Sequence, residues 1–158
     1  MARMFQVAID SASATTQRDI IEIVAAAEVP IRIHEVYITT DLEQDANEAQ
    51  DKLQVARHVG AFTSGSGGAT ATAYALGVTG ATEDSTTVEV GNTTQITGGT
   101  TEVLGEPYMN NRIGWHYLPT PENRPVIAGT DAFVIGTQAA FAAATAIGGY
   151  AVFEELVG

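Results

Sequence analysis

Apolar and polar residues alternate along much of the chain with a period of two, which predicts β-strands. In residues 31–40, IRIHEVYITT, the predicted faces are Ile31, Ile33 and Tyr37 on one side and Arg32, His34, Val36 and Ile38 on the other. In residues 53–62, LQVARHVGAF, they are Leu53, Val55, Arg57 and Val59 against Gln54, Ala56 and His58. Similar patterns predict further strands at residues 5–9, 20–24, 71–78, 86–90, 101–105, 113–118, 132–138 and 147–153.

The spacing of these strands indicates the class of fold. They follow one another at intervals of roughly ten to fifteen residues, with Gly, Pro, Asn and Thr at the breaks, as is typical of sandwiches and barrels. No long amphipathic helix is available to build βαβ units, so a doubly wound fold is disfavoured. A length of 158 residues fits one domain.

Two stretches interrupt the strand pattern. Residues 41–52, DLEQDANEAQDK, are acidic and predict a solvated connection or short helix; without a glycine they do not match a calcium-binding EF-hand loop. Residues 139–146, AAFAAATA, predict an apolar connection with one helical turn at most, which could pack against a neighbouring subunit.

The charge balance narrows the classes of partner. Nineteen acidic residues against seven basic ones give a net charge of −12, which repels nucleic acid and anionic lipid, so neither is expected as a partner. The sequence has no cysteine, no apolar window approaching the ~20 residues of a membrane span, and no secretory signal in MARMFQVAID.

The glycine-serine run FTSGSGGATATA, residues 62–73, is the nearest approach to a ligand-binding motif. It lacks the lysine of a phosphate loop and the helix that a dinucleotide-binding motif would open, so we interpret it as a turn between strands.

Other candidate chemistry is also weak. His34, His58 and His116 have no metal-ligand spacing, and the adjacent Glu154 and Glu155 would face opposite sides of a strand. The serines stand outside any nucleophile-elbow motif; they are Ser11, Ser13, Ser64, Ser66 and Ser85. We therefore assign no catalytic, cofactor or metal residue, and expect a protein that is not an enzyme.

The segment IGWHYLPTPENRPVIAG combines aromatic residues with prolines. Trp115 and Tyr117 share one strand face, which suits either the core or a carbohydrate-stacking platform, and His116 lies opposite. Pro119, Pro121 and Pro125 predict an extended, rigid connection that suits a crossover between the sheets of a sandwich.

Four segments in chain order resemble small proteins from the structural gene regions of tailed bacteriophages. They are LQVARHVGAFTSGSGG (53–68), MNNRIGWHYLPTPENRPVIAG (109–129), DAFVIG (131–136) and GGYAVFEEL (148–156). The shared features run from about residue 20 to the end. The resemblance implies an all-β fold: an antiparallel, jelly-roll-like β-sandwich in a single domain over residues 1–158, with at most one short helix. Residues 1–10 would form an N-terminal arm or edge strand.

The same resemblance implies a virion structural protein. Among such proteins, a capsid cement or decoration protein is the preferred interpretation. It would be made in the host cytoplasm, form a homotrimer and bind the major capsid protein on the capsid surface. Interface residues are expected in the N-terminal strand and the proline segment: Met4, Phe5, Val7, Trp115, Tyr117, Pro119 and Pro121. The alternatives are a tail or head–tail connection component, a carbohydrate-binding sandwich module that uses Trp115 and Tyr117, and a cupin-like enzyme whose histidines converge on a metal.

Overall fold

The computed structural model describes residues 3–41, 50–77, 86–141 and 143–156 and is almost entirely β. The thirteen described strands are β1 (Arg3–Ala14), β2 (Asp19–Val24), β3 (Ile31–Thr40), β4 (Gln50–Thr63), β5 (Ala69–Thr70), β6 (Ala73–Ala75), β7 (Thr87–Asn92), β8 (Thr97–Gly105), β9 (Tyr108–Asn110), β10 (Trp115–Tyr117), β11 (Val126–Ile127), β12 (Ala132–Thr137) and β13 (Thr145–Glu155). One 3-10 turn lies at Pro121–Asn123. The all-β class predicted from alternation is confirmed.

The strands form two antiparallel sheets that make a sandwich in a single domain. Sheet A has the order β10-β3-β13-β1-β6, with β11 also paired to β3. Sheet B has the order β5-β7-β2-β12-β4-β8, with β9 also paired to β4. The main pairs are nested along the chain: β1 with β13, β2 with β12, β3 with β10 and β11, and β4 with β8.

One main core lies between the sheets. Phenylalanine and β-branched side chains from both sheets are buried there, among them Phe5, Ile33, Val55, Phe133 and Phe153. A second, smaller apolar cluster lies on the other face of sheet B, where Val134 and Ala132 contact Ile96. That cluster exists because Ile96 of the β7–β8 connection and Phe62 of β4 cover part of the sheet's outer face.

Strand β3 has the predicted bounds but not the predicted faces. The register with β13 shifts between Val152 and Phe153, so that one extra residue of β3 is inserted as a bulge. Ile31 and Ile33 are buried before it, and Val36 and Ile38 after it, while Tyr37 turns outward. The prediction that Tyr37 shares a face with Ile31 was wrong, because a bulge shifts the period-two pattern by one residue.

The N-terminal segment is not an arm. β1 pairs with β13 from Arg3 to Ala14 and is covered on its other side by β6 at Phe5–Val7. Strand pairing on both sides at Phe5–Val7 makes this part of β1 an internal strand, which corrects the expectation of a free arm or edge strand.

The alanine-rich segment 139–146 packs on its own chain. Phe141 is buried in the main core, its backbone N–H donates to Thr15 O, and the buried Arg18 guanidinium lies 5.1 Å from the centre of its ring. Thr145 and Ala146 already belong to β13, and the described residues of this segment form no helical turn. Most of the acidic stretch 41–52 lies outside the described residues, but Gln50–Lys52 begin β4.

Candidate functional site

The structure buries two of the predicted interface residues. Phe5 and Val7 are fully buried in the main core, and the Phe5 ring stacks on Phe153 at 5.6 Å. Neither can contact another subunit, which corrects their assignment as interface residues. Met4 is half-buried on the outward side of β1.

The aromatic pair of β10 also faces the core. The Trp115 and Tyr117 rings stack at 5.8 Å, Tyr117 lies 6.1 Å from Phe133, and both are half-buried against the main core. Burial raises the pKa of the Tyr117 phenol. A sugar-stacking platform requires exposed rings, so the core interpretation of this pair is favoured.

The proline segment connects two strands of sheet A, and the chain crosses to sheet B only after the second of them. β10 pairs with Val36–Ile38 and β11 pairs with Ile31–Arg32, so both lie along the same edge of β3. Pro119 is half-buried and Pro121 is exposed in the 3-10 turn between them. The crossing to sheet B occurs only after Ile127.

The glycine-serine run is a turn that binds an anion, but the anion is a side chain of this protein. It connects β4 to β5, and Glu22 is buried beneath it. Glu22 accepts hydrogen bonds from Ser64 Oγ, from Gly65 N–H at 3.0 Å and from Asn92 Nδ2 at 3.4 Å. A Cβ at Gly65 would lie 2.6 Å from Asn92 Nδ2, so close approach requires glycine there.

The three histidines lie on opposite surfaces. His34 contacts Glu154 at 3.0 Å, and His116 contacts Glu35 at 2.8 Å, both on the outer face of sheet A. Glu35 also accepts a hydrogen bond from Tyr150, and this bond is the main reason its pKa is lowered. His58 lies on the outer face of sheet B. The fold therefore does not bring the three histidines together at one metal inside the sandwich. The described residues contain no group of three metal-ligating side chains.

A pocket of about 170 Å³ opens on the outer face of sheet B; we call it the Asp19 pocket. Its polar side chains come from three strands and two connections: Asp19, Gln54, His58, Gln95, Thr101 and Gln138. Its floor is apolar and is formed by Ala56, Ile96, Val134 and the bare backbone of Gly136. A Cβ at Gly136 would lie 2.7 Å from Asp19 Oδ1 and 2.9 Å from Gln95 Nε2, so the absent side chain keeps this end of the pocket open.

Hydrogen bonds fix the buried end of the pocket. Asp19 accepts from Ile96 N–H at 2.6 Å and from Gln95 Nε2 at 3.1 Å. Burial nevertheless raises the pKa of the Asp19 carboxyl to about 6. At the other end, burial lowers the pKa of His58, so the imidazole is mainly neutral at pH 7.

Asp19 and His58 do not form a catalytic pair. Gln54, which neighbours Gly136 and Asp19 across the sheet, is four residues before His58 on β4, a separation of roughly 13 Å along the strand. General acid–base chemistry needs both groups within hydrogen-bond reach of one reacting centre. The pocket is arranged for binding rather than for proton transfer between these two groups.

A different surface feature is the edge of sheet B. Residues 97–110, which we call the β8–β9 edge, run along one side of β4, and no described strand pairs with their other side. Seven of the nine residues of β8 are exposed. Large apolar side chains are exposed here and in the segment that follows: Val103, Leu104, Tyr108, Ile113 and Leu118.

The β8–β9 edge carries no unbalanced charge. Its charged residues are Glu102 and Glu106, which pair with Arg57 and, at 2.8 Å, with Lys52 on β4. In a chain of net charge −12 this is a surface that another copy can approach without strong repulsion.

Sequence reasoning found part of these sites. The grouping of Gln54, Ala56 and His58 on one face of β4 was predicted from alternation and is confirmed, and the structure shows that this face points outward. The contributions of Asp19, Gln95 and Gln138 were missed, because no local signal tells which distant residues meet on a sheet. The exposure of β8 was missed for the same reason, since edge position depends on strand order.

No protein-family model matches this chain, and neither a curated protein nor a solved structure was found to match it. Among the described residues, no helix has the length and apolar character needed to cross a membrane.

Proposed function

We propose that this chain is a non-enzymatic structural protein of a tailed-phage virion, specifically a capsid cement or decoration protein. It forms a homotrimer and binds the major capsid protein on the capsid surface. The observation that carries this proposal is the β8–β9 edge, which is long, exposed, charge-balanced and unpaired among the described strands.

Edge strands are normally protected against pairing with other chains. Lysine, proline, inward-pointing charges or very short strands serve this purpose in many sheets. β8 is nine residues long, has no lysine or proline, and exposes Val103 and Leu104, of which Leu104 lies at a register shift against β4. An edge with this composition supports strand addition or apolar contact with a partner.

The finer fold that we propose is a jelly roll. The nested pairs β1–β13, β2–β12, β3–β10 and β4–β8 support it, because a jelly roll folds one long antiparallel ribbon into two facing sheets. Jelly rolls occur in viral capsid proteins, in lectins and in cupins, so the fold alone does not select a function.

The sites select among these three functions. A cupin-like enzyme is disfavoured because His34 and His116 lie on one outer face and His58 on the other. A carbohydrate-binding module built on Trp115 and Tyr117 is disfavoured because both rings pack on the core. The β8–β9 edge favours assembly.

The direct test is the protein composition of virions purified from the phage or prophage that encodes this chain. We expect the chain in the heads, in a copy number set by threefold positions. Its absence from purified virions would overturn the proposal. Its presence only in isolated tails would instead indicate a tail or head–tail connection component.

The role of the β8–β9 edge in self-association is tested with Val103→Lys, which adds a charge at a side chain that is 51% exposed. We expect light scattering of the wild-type protein to give three times the chain mass of 16.5 kDa, and the variant to lose that association while keeping its β circular dichroism. Tyr74→Lys, at an exposed position of β6 in the other sheet, is the matched control and should associate normally. Equal masses for the wild-type protein and Val103→Lys would show that this edge is not the self-association interface.

A further inference from the structure

We propose that the Asp19 pocket binds a small neutral polyhydroxylated ligand, of the size of one sugar ring. The pocket meets the β8–β9 edge only at Thr101 and at Gln54, which bonds Glu106, and the inference does not depend on a virion role.

Size limits the ligand. Pockets for drug-sized molecules begin at about 300 Å³, and this pocket has about 170 Å³. A single ring fits that space better than a chain or a nucleotide does. The missing side chain of Gly136 creates part of this volume, since a Cβ there would contact the Asp19 and Gln95 side chains.

The charge of the pocket limits the class of ligand further. No lysine or arginine lines the pocket, whereas Asp19 does, and the whole chain has a net charge of −12. Phosphates, carboxylates and sulfated sugars would be repelled. A metal ion would find little free capacity, because Asp19 Oδ1 and Oδ2 already accept hydrogen bonds from Gln95 and Ile96. These facts select a neutral ligand.

The remaining polar groups match hydroxyls. Gln54, Gln138 and Thr101 each carry both a donor and an acceptor, and a sugar hydroxyl needs both. Gln54 also bonds Glu106, and Thr101 Oγ1 lies 3.5 Å from His58 Nδ1, so Gln138 has the most free hydrogen-bonding capacity. The structure gives the Gln138 side-chain amide no hydrogen-bond partner among the described residues. The apolar floor of Ala56, Ile96 and Val134 suits the C–H face of a sugar ring.

The experiment is ligand-observed NMR of the full chain with glucose, galactose, mannose and N-acetylglucosamine, each tested separately. Chemical-shift mapping on the labelled protein then locates the site. We expect at least one sugar to bind, with shifts confined to residues around Asp19, Gln54 and Gly136. Absence of binding by all four at tens of millimolar, or shifts confined to another surface, would overturn the proposal.

Gln138→Ala supplies the test of the site. Gln138 is exposed, so the variant should fold, and loss of its amide should weaken binding about tenfold. Gln6→Ala, an exposed glutamine on the outer face of sheet A, is the matched control and should bind as the wild type does. Unchanged affinity in both Gln138→Ala and Gln54→Ala would contradict the assignment, as would preferential binding of glucose 6-phosphate over glucose.

Discussion

Asp19 is a residue whose ionisation depends on the fold. Its pKa is about 6 in the folded chain against 3.8 for a free aspartate, mainly because burial penalises the charged carboxylate. The folded chain therefore holds this proton more tightly than the unfolded chain. Stability from this group is fully present below about pH 4, is lost as the pH rises to about 6, and stays lower above it.

Asp19→Asn should remove this pH dependence. A shift from 3.8 to about 6 corresponds to a change on the order of 3 kcal/mol in the free energy of unfolding. Between pH 4 and pH 7 the wild type should lose stability relative to the variant by that order, as measured by urea unfolding. His58 titrates in the opposite sense but is present in both proteins, so the comparison isolates Asp19.

The exposed Asp10→Asn is the control for the loss of one negative charge. Its unfolding free energy should retain the loss of stability between pH 4 and pH 7 that Asp19 causes. Parallel profiles for wild type and Asp19→Asn would show that the carboxyl titrates normally in the folded chain, against this prediction.

Glu22 holds the glycine-serine run in place. Three donors, from Ser64, Gly65 and Asn92, converge on one buried carboxylate. Glu22→Gln replaces an acceptor with an NH₂ group that must face one of those donors, so we expect a loss of about 2 kcal/mol in urea unfolding. Glu28→Gln, at an exposed turn, should cost almost nothing. Equal stability of both variants would mean that the loop does not depend on this carboxylate.

At the scale of elements, β1 is part of the core. Sheet A has β1 between β13 and β6, and Phe5 and Val7 are fully buried. Deleting residues 1–8 is therefore expected to unfold the domain, rather than to remove a dispensable arm. Phe5→Ala should cost about 3–5 kcal/mol in denaturant unfolding.

Gln6→Ala, at the next position with its side chain on the exposed face, should cost under 1 kcal/mol. A folded, cooperatively melting protein after deletion of residues 1–8 would restore the interpretation of this segment as an arm.

Bulges show why element bounds are easier to predict than faces. The bounds of β3 follow from the composition of residues 31–40 and are confirmed. The faces of β3 do not follow from its composition, because the register shift opposite Val152 and Phe153 depends on β13, more than a hundred residues away. A second shift, between Ile135 and Gly136 in the β12–β2 pair, helps to place Asp19 on the outer face of sheet B.

At the scale of the whole molecule, net charge should govern association. Each copy carries −12, so copies repel one another except where the β8–β9 edge is neutral. Added salt screens that repulsion, and we expect the oligomer to strengthen between 20 mM and 500 mM NaCl in sedimentation velocity experiments. Val103→Lys should stay monomeric at both concentrations. Dissociation of the wild-type oligomer by salt would instead indicate that ion pairs hold it together.

Local sequence patterns were enough to predict the all-β class, most strand positions, the shared face of Gln54 and His58, and the turn at the glycine-serine run. These follow from local alternation and turn chemistry, which act over a few residues. Only the folded structure shows that β1 is internal, that β8 is an edge, and that Asp19, Gln95 and Gln138 meet at one pocket. Such features depend on strand order and register, which are set by contacts between residues far apart in the chain.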